Sequence, residues 1–148
     1  MISIKISPLS DDVPFGASVF GVNLDSLKDD DVKSELLATF EEHGLVVFRE
    51  MEPSTQLHLA VSEVFGPLQH HALSENQDNK AEVVNLKQKQ DVININGESL
   101  AAYLPWHFDA CYTEKLNRAA LLRPVELPPT GGMTGFGDGV QIYNALPA

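Results

Sequence analysis

At 148 residues, with 43% hydrophobic side chains, the chain is long enough for one domain with a packed core. Its 10 basic and 21 acidic residues leave a net charge of −11, which argues against a nucleic-acid surface or an anionic-membrane surface built on Lys/Arg clusters. The single cysteine, Cys111, excludes an intramolecular disulfide and fits a reducing compartment.

Met1-Ile2-Ser3-Ile4-Lys5 has no basic region backed by an apolar core, so no signal peptide is visible. No apolar run approaches the ~20 residues of a membrane span. A cytoplasmic protein is expected, with homo-oligomerisation left open.

In chain order, Ile2 to Ile6 alternates apolar and polar residues, the pattern of a half-buried strand, and Pro8 closes it. Ala17 to Val22 forms a second short strand. Leu27-Lys28-Asp29 opens a helix that runs to about His43, with Asp29 or Asp30 as cap and Val32, Leu36, Leu37 and Phe40 as its apolar stripe. Gly44 supplies the stop. Leu45 to Phe48 is a continuous apolar run and predicts a buried strand.

Pro53-Ser54 starts a second helix, with Leu57, Val61, Val64 and Phe65 on one side and Gly66-Pro67 at its end. His43 and His58 read as ordinary surface or boundary residues. Residues 74–80 are a polar loop, and Val83 to Leu86 reads as a strand. Val92 to Ile95 followed by Asn96-Gly97 carries the strongest hairpin signal in the chain. Ala119 to Leu122 and Met133 to Phe136 are strand candidates. Val140 to Leu146 predicts a short helix with Ile142, Tyr143 and Leu146 inward. Strands outnumber helices and the two clear helices come early, which suggests an antiparallel barrel with helices packed outside. Cys111 falls on an expected strand and reads as a buried structural thiol.

The chemistry centres on Trp106-His107-Phe108-Asp109. On an extended strand, residues two apart share a face, so the His107 imidazole and the Asp109 carboxylate can aim at one point. That donor pair is two-thirds of the 2-His-1-carboxylate triad that holds non-haem Fe(II). The plainer reading is that the two side chains bond each other or cap a turn.

The wider context is W-H-F-D-A-C-Y, then L-P-P-T-G-G-M-T-G-F, then Y-N-A-L-P, preceded by H-G-L-V-V-F-R at 43–49 and F-G-P-L at 65–68. These residues resemble the TauD/TfdA family of Fe(II)- and 2-oxoglutarate-dependent dioxygenases, whose pattern is W-H-x-D, an apolar strand, P-P-x-G-G-D-T and A-Y-x-A-L-P. The resemblance covers nearly the whole chain. It implies a double-stranded β-helix, or jelly roll: a mainly β fold with flanking helices.

It further implies that His107 and Asp109 are iron ligands and act in catalysis. Thr134 would hydrogen-bond 2-oxoglutarate, and His71 would hold the acidic group of a small organic acid such as a sulfonate, sulfate ester or carboxylate. Dioxygen is the oxidant and the product is hydroxylated. The hairpin ahead of H-x-D becomes a candidate lid on the substrate side. The alternatives are a β-branched strand filler for Thr134 and a solvated loop pair for His70 and His71.

The chain departs from the family in two ways. Met133 replaces the family Asp before Thr134. The family also has a second iron-binding His far downstream, and soon after it an Arg for the 2-oxoglutarate carboxylate. Here the histidines are 43, 58, 70, 71 and 107 and the arginines 49, 118 and 123, so none follows Asp109 at the required distance. The expectation is that residues 1–148 form one TauD/TfdA-like domain cut before the distal His, an incomplete jelly roll inactive by itself. The competing reading is a non-catalytic β-barrel binding or structural module.

Overall fold

The computed structural model describes residues 3–69, 92–96, 98–101, 106–109, 111–112, 114 and 116–147. They fall into two compact units, one formed by residues 1–65 with 121–148 and the other by residues 66–120.

The first unit is built on a three-stranded sheet in the order β1-β2-β3, with β1 at Lys5–Pro8, β2 at Ala17–Phe20 and β3 at Val46–Arg49. β1 and β2 are antiparallel, with Lys5 opposite Phe20. β2 and β3 are parallel, with Ala17 opposite Val46. A parallel pair needs a crossover, and helix α1, Asp30–His43, provides it. Asp29 caps α1 by accepting from the Asp31 amide, and Gly44 ends it in the left-handed region at φ 69°. Glycine adopts that conformation without steric cost, which is why the helix stops there. Ser54 caps helix α2, Thr55–Val64, by accepting from the Leu57 amide.

The core lies between sheet and helices. Ala17 and Val19 of β2, Leu36 of α1 and Leu57 and Val61 of α2 are almost fully buried. β2, the middle strand, also buries Ser18 between them, and Arg49 Nε donates to its hydroxyl at 3.4 Å. The rings of Phe40 and Phe65 meet edge to face at 5.2 Å and tie α1 to α2. A feature absent from the sequence reading is the turn before α1. There Asn23 Oδ1 accepts from the amides of Asp25 and Ser26, and the buried Ser26 hydroxyl donates to the Asn23 carbonyl.

The second unit carries the hairpin at its expected place. β4, Val92–Ile95, pairs antiparallel with β5, Glu98–Ala101, and Ile95 faces Glu98 across the turn. Asn96 takes φ 54°, as an Asn-Gly turn requires. Residues 74–80 and Val83 to Leu86 lie outside the described residues.

The largest differences from expectation are in the last third of the chain. Residues 119–122 and 133–136 form no strand, because no neighbouring strand among the described residues offers them a ladder. The expected helix is present as α3, Gly139–Asn144, capped by Asp138. Its Ile142 and Tyr143, with Leu146 beyond it, are exposed rather than inward, since no layer among the described residues covers them. Leu45 to Phe48 is half-buried, not buried, because β3 is an edge of the sheet. Cys111 sits in a turn and is exposed, not a buried strand residue.

Candidate functional site

Residues 106–109 are not a strand. The backbone bends at Trp106 and turns at Asp109. The expectation of one shared face therefore fails in its mechanism but not in its outcome, because the bend itself brings the two side chains together. His107 Nε2 lies 3.2 Å from Asp109 Oδ1. Both groups are open to solvent, 49% and 67% exposed, so an ion or a substrate can reach them. Trp106, Phe108 and Tyr112 around them are exposed as well.

The separation can be compared with what a metal needs. Two adjacent ligands on an octahedral ion at ~2.1 Å stand ~3.0 Å apart. The observed 3.2 Å is close to that spacing, and it is also an ordinary hydrogen-bond distance. An imidazole nitrogen beside a carboxylate oxygen fits Fe(II) by donor type. Among the described residues, no group of three or more His, Cys, Asp or Glu side chains converges on one point. The residues present therefore fit two positions of an iron site.

Thr134 belongs to the first unit and is exposed. The turn ahead of it is fixed by its sequence. Gly131 and Gly132 take successive positive φ values of 74° and 66°. A Cβ at Gly132 would lie 2.7 Å from Pro128 Cγ, so this turn admits no side chain there. Pro128 and the two glycines thus set the direction in which Met133 and Thr134 leave the turn. His70 and His71 lie outside the described residues.

One pair of residues was missed. His58, read as an ordinary boundary residue, has a buried Nδ1 without a hydrogen-bond partner, and so does the Nε of Arg123. Burial and then the Arg123 charge push the His58 pKa below its usual value, against a hydrogen bond to the Leu121 backbone that acts to raise it. The only hint in the sequence is that His58 follows Leu57 on the rim of the α2 apolar stripe. No described helix is long and apolar enough to cross a membrane.

Residues 5–148 match the family described as taurine catabolism dioxygenase TauD, TfdA family. The (S)-phenoxypropionate/alpha-ketoglutarate-dioxygenase of Sphingobium herbicidovorans is 32% identical over 146 residues, which is 97% of this chain and 48% of that protein. Pentalenolactone F synthase of Streptomyces avermitilis is 28% identical over 138 residues, 89% of this chain and 44% of its own length. The alpha-ketoglutarate-dependent 2,4-dichlorophenoxyacetate dioxygenase of Cupriavidus pinatubonensis is 27% identical, with 90% and 50% covered. The chain spans about half the length of these curated relatives. No solved structure matches it. With a match that begins in β1 and runs through α3, the chain belongs to the TauD, TfdA family.

Proposed function

We propose that the chain carries one part of the active site of an Fe(II)- and 2-oxoglutarate-dependent dioxygenase that hydroxylates a small organic acid. The observation that carries the proposal is the convergence of His107 Nε2 and Asp109 Oδ1 at 3.2 Å, in a chain of this family. When bound, iron and 2-oxoglutarate supply the oxidising chemistry: one oxygen atom of O2 goes to a substrate C–H bond, and the other to 2-oxoglutarate, which loses carbon dioxide to become succinate.

The protein's part is to hold and orient. Without metal, a proton on His107 Nε2 can bridge to Asp109 Oδ1. Metal binding requires that proton to leave, because only the neutral imidazole nitrogen has a lone pair to donate. Thr134 is the proposed donor to a 2-oxoglutarate carboxylate, a charge-assisted bond stronger than a neutral one. His71 is the proposed contact for the acidic group of the substrate. Two relatives are named for aryloxyalkanoates, phenoxypropionate and 2,4-dichlorophenoxyacetate, which supports a carboxylate substrate.

We further propose that the jelly roll, the third iron ligand and the 2-oxoglutarate Arg are completed by residues outside these 148. The chain alone should then be inactive. A second reading, a non-catalytic module, draws on the same contact: His107 and Asp109 can satisfy each other as a hydrogen-bonded pair.

The test is Fe(II)-dependent conversion of 2-oxoglutarate to succinate, measured on the 148-residue chain and on a version extended to the length of its relatives. Succinate formation only by the extended protein, abolished by His107→Ala and by Asp109→Ala, is expected. Turnover by the 148-residue chain would overturn the incompleteness. An extended protein that binds ligand equally well with and without His107 would overturn the dioxygenase reading.

A further inference from the structure

Residues 124–137 are exposed throughout, and among the described residues no hydrogen bond ties them to the sheet or the helices. Their path is set by local sterics, and the two glycines ahead of Thr134 stand in different surroundings. Both lie in the left-handed region, at φ 74° for Gly131 and 66° for Gly132. A Cβ at Gly131 would meet nothing within 4 Å, whereas one at Gly132 would lie 2.7 Å from Pro128 Cγ and 3.3 Å from Pro128 Cδ. Gly131 therefore answers only to the backbone angle, which Asn also tolerates. Gly132 answers to the angle and to the proline ring.

That ring is held where it is. Its own φ is fixed by the pyrrolidine, and Pro129 after it restricts Pro128 to an extended backbone. Non-bonded carbons rest at ~3.5–4.0 Å, so a Cβ at 2.7 Å from the ring forces the loop from 128 to 132 to open. Thr134 leaves that loop two positions later, and nothing buried stands behind it to restore its direction.

We propose that Pro128 and Gly132 are positioning residues for 2-oxoglutarate, which act through Thr134 by fixing the direction of the chain that carries its hydroxyl. The proposal rests on the reading of Thr134 as a donor to a 2-oxoglutarate carboxylate. A hydrogen bond weakens steeply once it is misaligned, so a loop opened at position 132 removes that bond while leaving the hydroxyl in place in the sequence. Pro128 and Gly132 are also interdependent. Without Cγ and Cδ at position 128, position 132 accepts a side chain as position 131 does.

The experiment places one side chain at two neighbouring positions. Gly131→Asn and Gly132→Asn share the side chain and nearly the same φ, so they differ in the ring contact. In NMR spectra of the 148-residue chain, Gly132→Asn should displace the Thr134 and Gly135 amide signals and Gly131→Asn should shift them far less. Pro128→Ala combined with Gly132→Asn should bring them back toward the unaltered positions. In the chain extended to the length of its relatives, Gly132→Asn should raise the KM for 2-oxoglutarate about tenfold, as Thr134→Ala should, with kcat little changed, the pattern of a lost binding contact. The double variant should recover most of that loss. Equal displacement by the two single variants overturns the proposal, as does a double variant no closer to the unaltered chain than Gly132→Asn. So does a KM raised by Thr134→Ala and untouched by Gly132→Asn. An unchanged KM in Thr134→Ala overturns the role given to Thr134 and, with it, the link to 2-oxoglutarate, while the amide signals still decide the loop.

Discussion

Residues 3–65 and residues 121–147 use the same apolar side chains and treat them in opposite ways. Leu36 and Val61 are 0% exposed, whereas Leu127 is 79% and Met133 93% exposed. The difference lies in the backbone. The first region closes a β-α-β crossover with both helices capped, so its helix ends are satisfied and its apolar side chains face a second layer. The second region runs through Pro124, Pro128, Pro129 and two left-handed glycines and joins no ladder. Hydrophobicity alone does not bury a residue; a hydrogen-bonded layer has to present it to another. The lesson bears on the proposed site, because Thr134 sits in the exposed region while the buried side chains lie in the other.

The sharpest way to break this comparison is to truncate one residue in each region. Leu36→Ala should cost about 2–5 kcal/mol in urea unfolding, since it removes a fully buried side chain from the helix–sheet interface. Met133→Ala should change stability by less than ~0.5 kcal/mol. Comparable losses at both positions would mean that residues 121–147 are packed far better than their exposure shows.

Capping gives a smaller effect of the same kind. Ser54→Ala removes the acceptor for the Leu57 amide and should cost about 1 kcal/mol, with Ser54→Asp restoring most of it. A loss confined to α2 in amide protection, with α1 unchanged, would show that the two helices respond separately.

The smallest expected effect is at Asp138. The backbone amide of Gln141, with further bonds from the Gln141 side chain and the Val140 amide, holds its carboxylate below the usual value of 3.8. Its contribution to α3 is therefore present above the usual value and lost as the pH falls through the lowered one. The Val140 and Gln141 amide shifts should move together in acid, and Asp138→Asn should flatten that response. No change elsewhere is expected, because α3 spans only six residues and leans on nothing buried.

Much of the first region was legible because its signals are local. Asp29, Gly44 and Ser54 mark helix ends through bonds to residues two to four positions away, and Asn96 marks a turn between two adjacent strands. The Asn23–Ser26 turn was equally local and was missed because side-chain bonds of that kind carry no hydrophobic period. At the candidate site, the proximity of His107 and Asp109 was legible from their spacing, but the bent backbone that achieves it was not. The exposure of Cys111 and of the α3 apolar residues was not legible either, since a side chain's partner layer is not written beside it.

The sequence by itself determined the H-x-D pair, the P-P-T-G-G turn, the caps and the family, because each rests on the identity of neighbouring residues. Only the tertiary structure decided that β2 lies between an antiparallel and a parallel neighbour, and that the imidazole of His58 on α2 is partly buried with its Nδ1 unpartnered. These outcomes depend on which distant surfaces meet. That choice is made by the burial of Leu36, Leu57, Val61 and the β2 residues Ala17 and Val19 in one core.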